Sequence, residues 1–162
     1  MIIDYLLFIV YNGYMLNELE SLISNEKYEI TLLSNVSAFL NEKLHTINWV
    51  GFYLYLDGQL VLGPFQGKVA CEIIPLSKGV CGKAATDRQT VLVEDVHKFP
   101  GHIACDSASQ SEIVLPIILD GQLYGVLDID SPVISRFTQN DKQTLEQCVE
   151  IIIKRLNEIK SI

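Results

Sequence analysis

Basic side chains are in short supply: 12 Lys and Arg stand against 20 Asp and Glu, a formal net charge of −8 over 162 residues. A surface of that sign repels phosphate, so nucleic acid is excluded as a partner, as is general binding to an anionic membrane. The apolar run at residues 1–11, interrupted by Asp4, is too short to span a bilayer. It lacks the basic leader and small-residue cleavage site of a secretory signal, so the expected location is cytoplasmic, where thiols stay reduced. Internal repeats and low-complexity linkers are absent. An apolar content of 49% suits one folded domain with its own core. The four cysteines form no Cys-x-x-Cys pair, which removes the spacing of a thiolate zinc site and of the common dithiol redox motif.

The apolar pattern lays out the elements. Two helical stretches are expected between Leu16 and Leu44, the second with Leu33, Val36, Phe39 and Leu40 on one face. Asn48–Leu56 alternates, with Val50, Phe52, Leu54 and Leu56 on one side and Trp49, Gly51, Tyr53 and Tyr55 on the other. Asp57-Gly58 tolerates the positive φ angles of a type I′ turn and predicts a hairpin with Gln59–Leu62. More strands are expected at Cys71–Leu76, Thr90–Val93, Ile113–Leu119 and Gln122–Asp130, the last two joined by Asp120-Gly121, with a short helix at Val80–Asp87. Glu94–Gln110 reads as a long irregular segment, and such loops inside compact domains carry function. Thr138, with Asp141 three positions on, resembles an N-cap box. It opens a last helix with Leu145, Cys148, Val149, Ile152, Ile153, Leu156 and Ile159 at helical spacing. The sum is an α+β sandwich: a central, mainly antiparallel sheet of about six strands flanked by N- and C-terminal helices. Residues 1–14 read either as an apolar N-terminal extension outside the core, because Met15-Leu16-Asn17-Glu18-Leu19 looks like a more natural start, or as a first strand or helix packed on the domain. Residues 15–162 then form a single domain.

Three cysteines lie in surroundings unlike a core: Cys71 after Val69-Ala70, Cys81 in Gly79-Val80-Cys81-Gly82, and Cys105 beside Asp106 and Ser107 in the long loop. Their gaps of 10 and 24 residues leave a loose set that folding must assemble, suited to an attacking and a resolving thiol. Cys105, with His102 three residues earlier, is a candidate nucleophile. Cys148 falls on the apolar stripe of the last helix and reads as core. Asp128 and Asp130 share one strand face. Two close carboxylates repel, so one pKa rises: the protonated group can donate a proton while the ionised one holds a cation. Glu112 begins the strand paired across Asp120-Gly121 and falls near them. Trp49, Tyr53 and Tyr55 offer an aromatic wall. Gly63-Pro64-Phe65-Gln66-Gly67 reads as a turn or as a backbone N–H cradle for an anion. A dyad of Cys105 with His97 or His102 would make a hydrolase, although no nucleophile motif surrounds it.

Taken together, Asn48-Trp49-Val50-Gly51-Phe52-Tyr53, Leu62-Gly63-Pro64-Phe65-Gln66-Gly67, Gly79-Val80-Cys81-Gly82, the run Phe99–Ser109 around Cys105, Ser111-Glu112-Ile113 and Gly125-Val126-Leu127-Asp128-Ile129-Asp130-Ser131 resemble the free methionine-(R)-sulfoxide reductases. The resemblance extends over roughly residues 16–160. It implies a GAF-like fold and a thiol-dependent oxidoreductase. Cys105 corresponds to the nucleophile that attacks the sulfoxide sulfur. Glu112, Asp128 and Asp130 correspond to the groups that protonate the departing oxygen and hold the ammonium, and Trp49 and Tyr53 to the substrate-binding wall. Cys71 is favoured as main resolver, with Cys81 as relay or second partner. No bound cofactor or metal is implied; the external reductant is thioredoxin or an equivalent dithiol, and a homodimer is the implied assembly. The alternative from the same fold is a non-catalytic GAF module that senses redox state or binds a small ligand.

Overall fold

Period-two alternation along two neighbouring strands decides where the molecule keeps its apolar core and where it keeps its polar groups. In the computed structural model, residues 2–103 and 105–161 are described, residues 2–11 by backbone alone. Met1 of the extension and Ala104 of the cysteine segment lie outside the described residues. The strands are β1 (Trp49–Leu56), β2 (Gln59–Gly67), β3 (Ile73–Pro75), β4 (Val91–Val93), β5 (Ser111–Leu119) and β6 (Gln122–Ser131). They form one antiparallel sheet in the order β3-β2-β1-β6-β5-β4. Both two-residue turns have paired positive φ values: 50° and 83° at Asp57 and Gly58, 49° and 76° at Asp120 and Gly121.

Cross-strand register converts alternation into rows. Ile113, Ile129 and Val50 are aligned across β5, β6 and β1, as are Leu115, Leu127 and Phe52. These rows face three helices: α1 (Ile2–Ile23), α2 (Glu29–Lys43) and α4 (Gln139–Lys160). Leu19, Leu33, Val36, Leu40, Leu145, Cys148, Ile152 and Leu156 fill the interface, each at most 1% exposed. Thr138 and Asp141 close the reciprocal capping box at the start of α4. The α1 helix runs without a break through residues 14 and 15 and inserts Met15, Leu19 and Ile23 into this core.

The intervening rows point the other way. Glu112, Asp130 and Trp49 form one, Val114, Asp128 and Gly51 the next, and Pro116, Val126 and Tyr53 a third. Over them lie α3 (Gly79–Asp87), β3 and the long loop, which contains a 3-10 turn at Val96–Lys98. Two expectations change here. Gly63–Gly67 is neither a turn nor an anion cradle but the second half of β2; Gly63 and Pro64 both face Phe52 in a bulge, where the missing proline N–H breaks no ladder. Cys71 precedes β3 by two residues rather than starting the strand.

Candidate active site

The rows from β5, β6 and β1 place Glu112 and Asp130 opposite each other, with Asp128 one row along. Three carboxyls thus meet on one patch of sheet, two of them, Glu112 and Asp128, only 6% exposed. The start of α3 brings Cys81 down on this patch. Gly82 permits the approach: a Cβ there would stand 2.7 Å from the Leu76 carbonyl oxygen. The Cys81 thiol points at Glu112 Oε1 from 4.0 Å.

Burial sets the protonation states. It raises all three carboxyl pKa values, Asp128 to about 6 and Glu112 and Asp130 well above the usual range; the Asp128 charge pushes its two neighbours further. The polar groups of Cys81 and Glu112 beside it temper the rise at Asp128. Asp128 is therefore the most readily ionised of the three, and Glu112 and Asp130 hold their protons to higher pH. Burial and the nearby acids push the Cys81 thiol up as well. His102 Nε2 stands 3.8 Å from Glu112 Oε2, but burial and His97 lower the imidazole pKa, so two neutral groups meet there rather than an ion pair. Asp128 Oδ1 is buried without a hydrogen-bond partner. A desolvated carboxylate oxygen left bare in a cavity wall is a place for a cation.

Two tethered segments close the site. Tyr53 Oη donates to the Cys71 carbonyl at 2.9 Å and Trp49 Nε1 to the Lys68 carbonyl at 3.1 Å, so two aromatic residues of the wall also hold the chain that carries Cys71. On the other side Asn48 Nδ2 donates to Asp106 Oδ2 at 3.0 Å and to Ser109 Oγ at 3.1 Å, and Asp106 Oδ1 accepts from the Ala108 N–H. That clamp fixes the residues just after Cys105. Between the two segments Cys71 and Cys105 are joined by a disulfide, with Cα atoms 5.5 Å apart. Cys81 and Cys148 are buried free thiols.

The cavity opens to solvent and spans about 500 Å³ with the solvent at its mouth counted, of which about 30 Å³ is room for the centre of a water molecule. Trp49 and Tyr53 wall one side, their ring centroids 5.9 Å apart, while Glu112, Asp128, Asp130 and Cys81 line the base and Ile103, Cys105 and Asp106 the loop side. The eight residues to which the family resemblance assigns roles (the three cysteines Cys71, Cys81 and Cys105, the three acids, Trp49 and Tyr53) therefore gather at one cavity, Cys71 through its disulfide to Cys105. Tyr55 does not: it lies further along β1 and is 37% exposed, and it is Phe65 that stacks behind Trp49 at 5.3 Å. Cys105 is bonded to Cys71 and His102 faces Glu112, an arrangement that differs from a cysteine–histidine dyad. Asn48, Asp106 and Ser109 had no assigned role in the sequence. Asn48 and Asp106 are 58 positions apart, and no periodicity links them.

These features define a GAF domain with a disulfide at the rim of its cavity, and the GAF-domain family profile matches residues 30–152. The free methionine-R-sulfoxide reductase of Escherichia coli is 53% identical over 139 residues, covering 86% of this chain and 84% of that protein. Among solved structures, reduced fRMsr of Staphylococcus aureus is 54% identical, with 90% and 94% coverage and a TM-score of 0.87. Free methionine-R-sulfoxide reductase of Neisseria meningitidis, in complex with its substrate, is 41% identical, with 93% and 90% coverage and a TM-score of 0.89. The chain belongs to the free methionine-R-sulfoxide reductase family of GAF-domain proteins. Among the described residues no helix is long and apolar enough to cross a membrane.

Proposed function

We propose that the protein reduces free L-methionine-R-sulfoxide to methionine. The observation that carries this reading is the Cys71–Cys105 disulfide at the rim of a cavity whose base holds two buried carboxyls, a third half-buried beside them, and an unpartnered oxygen on Asp128. In the reduced protein the Cys105 thiolate attacks the sulfoxide sulfur. A protonated carboxyl, Glu112 or Asp130, supplies the proton the departing oxygen needs. The oxygen passes to Cys105 as a sulfenic acid and methionine leaves. Cys71 then attacks that sulfenic acid, water departs, and the disulfide forms. Thioredoxin or a similar dithiol returns both sulfurs to thiols by exchange. Cys81, buried against the acids, is the second thiol available to this cycle.

Selectivity has the same physical basis. Ionised Asp128 takes the free ammonium, and Trp49 and Tyr53 flank the methyl group and fix which face of the sulfur meets Cys105. A peptide bond in place of the ammonium would leave buried polar groups unpaired, at a cost of about 1–3 kcal/mol each. Residues 15–162 form the catalytic domain in this reading, with 1–14 as an extension, a cytoplasmic location and a homodimeric assembly. The test is turnover of the free R epimer with thioredoxin recycling, beside the S epimer and a blocked peptide. Methionine formed from the free R epimer alone supports the reading. No turnover of any of the three by the folded, reduced protein overturns it and leaves a ligand-binding or redox-sensing GAF module.

A further inference from the structure

We propose that Cys81, Glu112 and Asp128 form an inhibitory site for a thiophilic divalent cation of the Zn²⁺ class; this rests on the reading of the cavity as the reductase site. The Cys81 sulfur and one carboxylate oxygen from each of Glu112 and Asp128 lie within 4.8 Å of one another. They arrive from three elements, α3, β5 and β6, and so form a mixed sulfur–oxygen set that no short cysteine spacing could announce. Tetrahedral zinc takes sulfur at about 2.3 Å and carboxylate oxygen at about 2.0–2.2 Å. Donors around it sit roughly 3.5 Å apart by that geometry, and Cys81 Sγ already stands 4.0 Å from Glu112 Oε1. Small side-chain rotations close the remainder.

A second observation points to a cation. Asp128 is 6% exposed, lines the cavity, and its Oδ1 has no hydrogen-bond partner. Magnesium and calcium are poor occupants, since both demand six or more oxygen donors and neither favours a thiolate. Zinc accepts one thiolate, two carboxylates and a water in the fourth position. On binding, the Cys81 thiol and the Glu112 carboxyl release their protons to solvent, and no electrons move. The Cys71–Cys105 pair is not a ligand, so the oxidised protein binds as well. The metal takes the oxygen that the substrate ammonium uses, and the two compete.

The test uses the full chain in its disulfide form, stripped with a chelator and titrated with Co²⁺. The expected result is a thiolate-to-cobalt charge-transfer band in the near ultraviolet that saturates at one equivalent. Zn²⁺ or free methionine removes it. The band is lost in Cys81→Ser and in Cys81→Ala and weakened in Asp128→Asn, but is retained in Cys148→Ala. In turnover assays Zn²⁺ raises the KM for the sulfoxide and leaves kcat unchanged. Absence of the band in the folded wild-type protein, or its survival in both Cys81 variants, overturns the site. Turnover in the presence of chelator is read separately: its absence would sink the reductase reading while the absorbance still decides the metal.

Discussion

One sheet carries two interiors. On its helix side, rows such as Ile113–Ile129–Val50 meet α1, α2 and α4 with apolar side chains. On its other side the neighbouring row Glu112–Asp130–Trp49 places one buried and one half-buried carboxyl and a buried indole beneath α3 and the long loop. The two rows are one residue apart along each strand. The helix side returns free energy for every methylene it hides from water. The loop side does the opposite: it desolvates acids, raises their pKa values and leaves an Asp128 carboxylate oxygen bare. The stable face holds the costly one in place, and the alternation of a strand makes that division of labour available within three consecutive residues.

The largest effect expected on the loop side is chemical. Cys105→Ser keeps the shape of the site and removes the thiolate, so turnover of the free R epimer should fall by at least about 10³-fold. Urea unfolding of the reduced variant should match reduced wild type within about 1 kcal/mol. An equal loss of stability would mean that Cys105 belongs to the packing and not to the reaction.

Adjacent residues of β6 sharpen the contrast. Ile129 is fully buried against the helices, and truncation to Ala should cost about 2–5 kcal/mol of stability through lost burial and a cavity. Asp130, next in sequence, faces the loop side. Asp130→Asn should lower kcat/KM by roughly 10²-fold or more and leave the urea midpoint nearly unchanged. Denaturation curves and kinetics on the two variants check both halves. A stability loss in Asp130→Asn comparable to that of Ile129→Ala would erase the distinction between the faces.

How much of this was legible depends on the range of the signal. The alternation of Asn48–Leu56, the paired Asp-Gly turns and the Thr138–Asp141 box are local rules, and the structure follows them. Pro64 misled because Gly63-Pro64 is turn chemistry in isolation, yet cross-strand pairing absorbs both residues into a bulge of β2. Asp128 and Asp130 were legible as a same-face pair because two residues suffice to show it. Glu112 followed from the hairpin. The Cys71–Cys105 pairing came from family resemblance and not from spacing, since a separation of 34 residues constrains nothing by itself. The Asn48 clamp on Asp106 and the bare oxygen of Asp128 depend on how separate elements pack, and no window of sequence contains them.

The smallest predicted effect tests whether the loop side costs stability. Burial raises the Asp128 pKa in the folded protein from 3.8 to about 6. Between those values the folded chain holds a proton that the unfolded chain has released. Stability therefore falls as pH rises through the window, and the deficit persists above pH 6. Asn at this position carries no charge to desolvate. Asp128→Asn should leave stability close to wild type near pH 4 and raise it at pH 8 by on the order of 1–3 kcal/mol, while weakening substrate binding. Glu112 adds in the same direction, because loss of the Asp128 charge eases its own ionisation. Urea midpoints of both proteins at the two pH values decide the matter. A gain of equal size at pH 4 and pH 8 would trace the effect to packing, and a loss at pH 8 would show that ionised Asp128 supports the fold rather than taxing it.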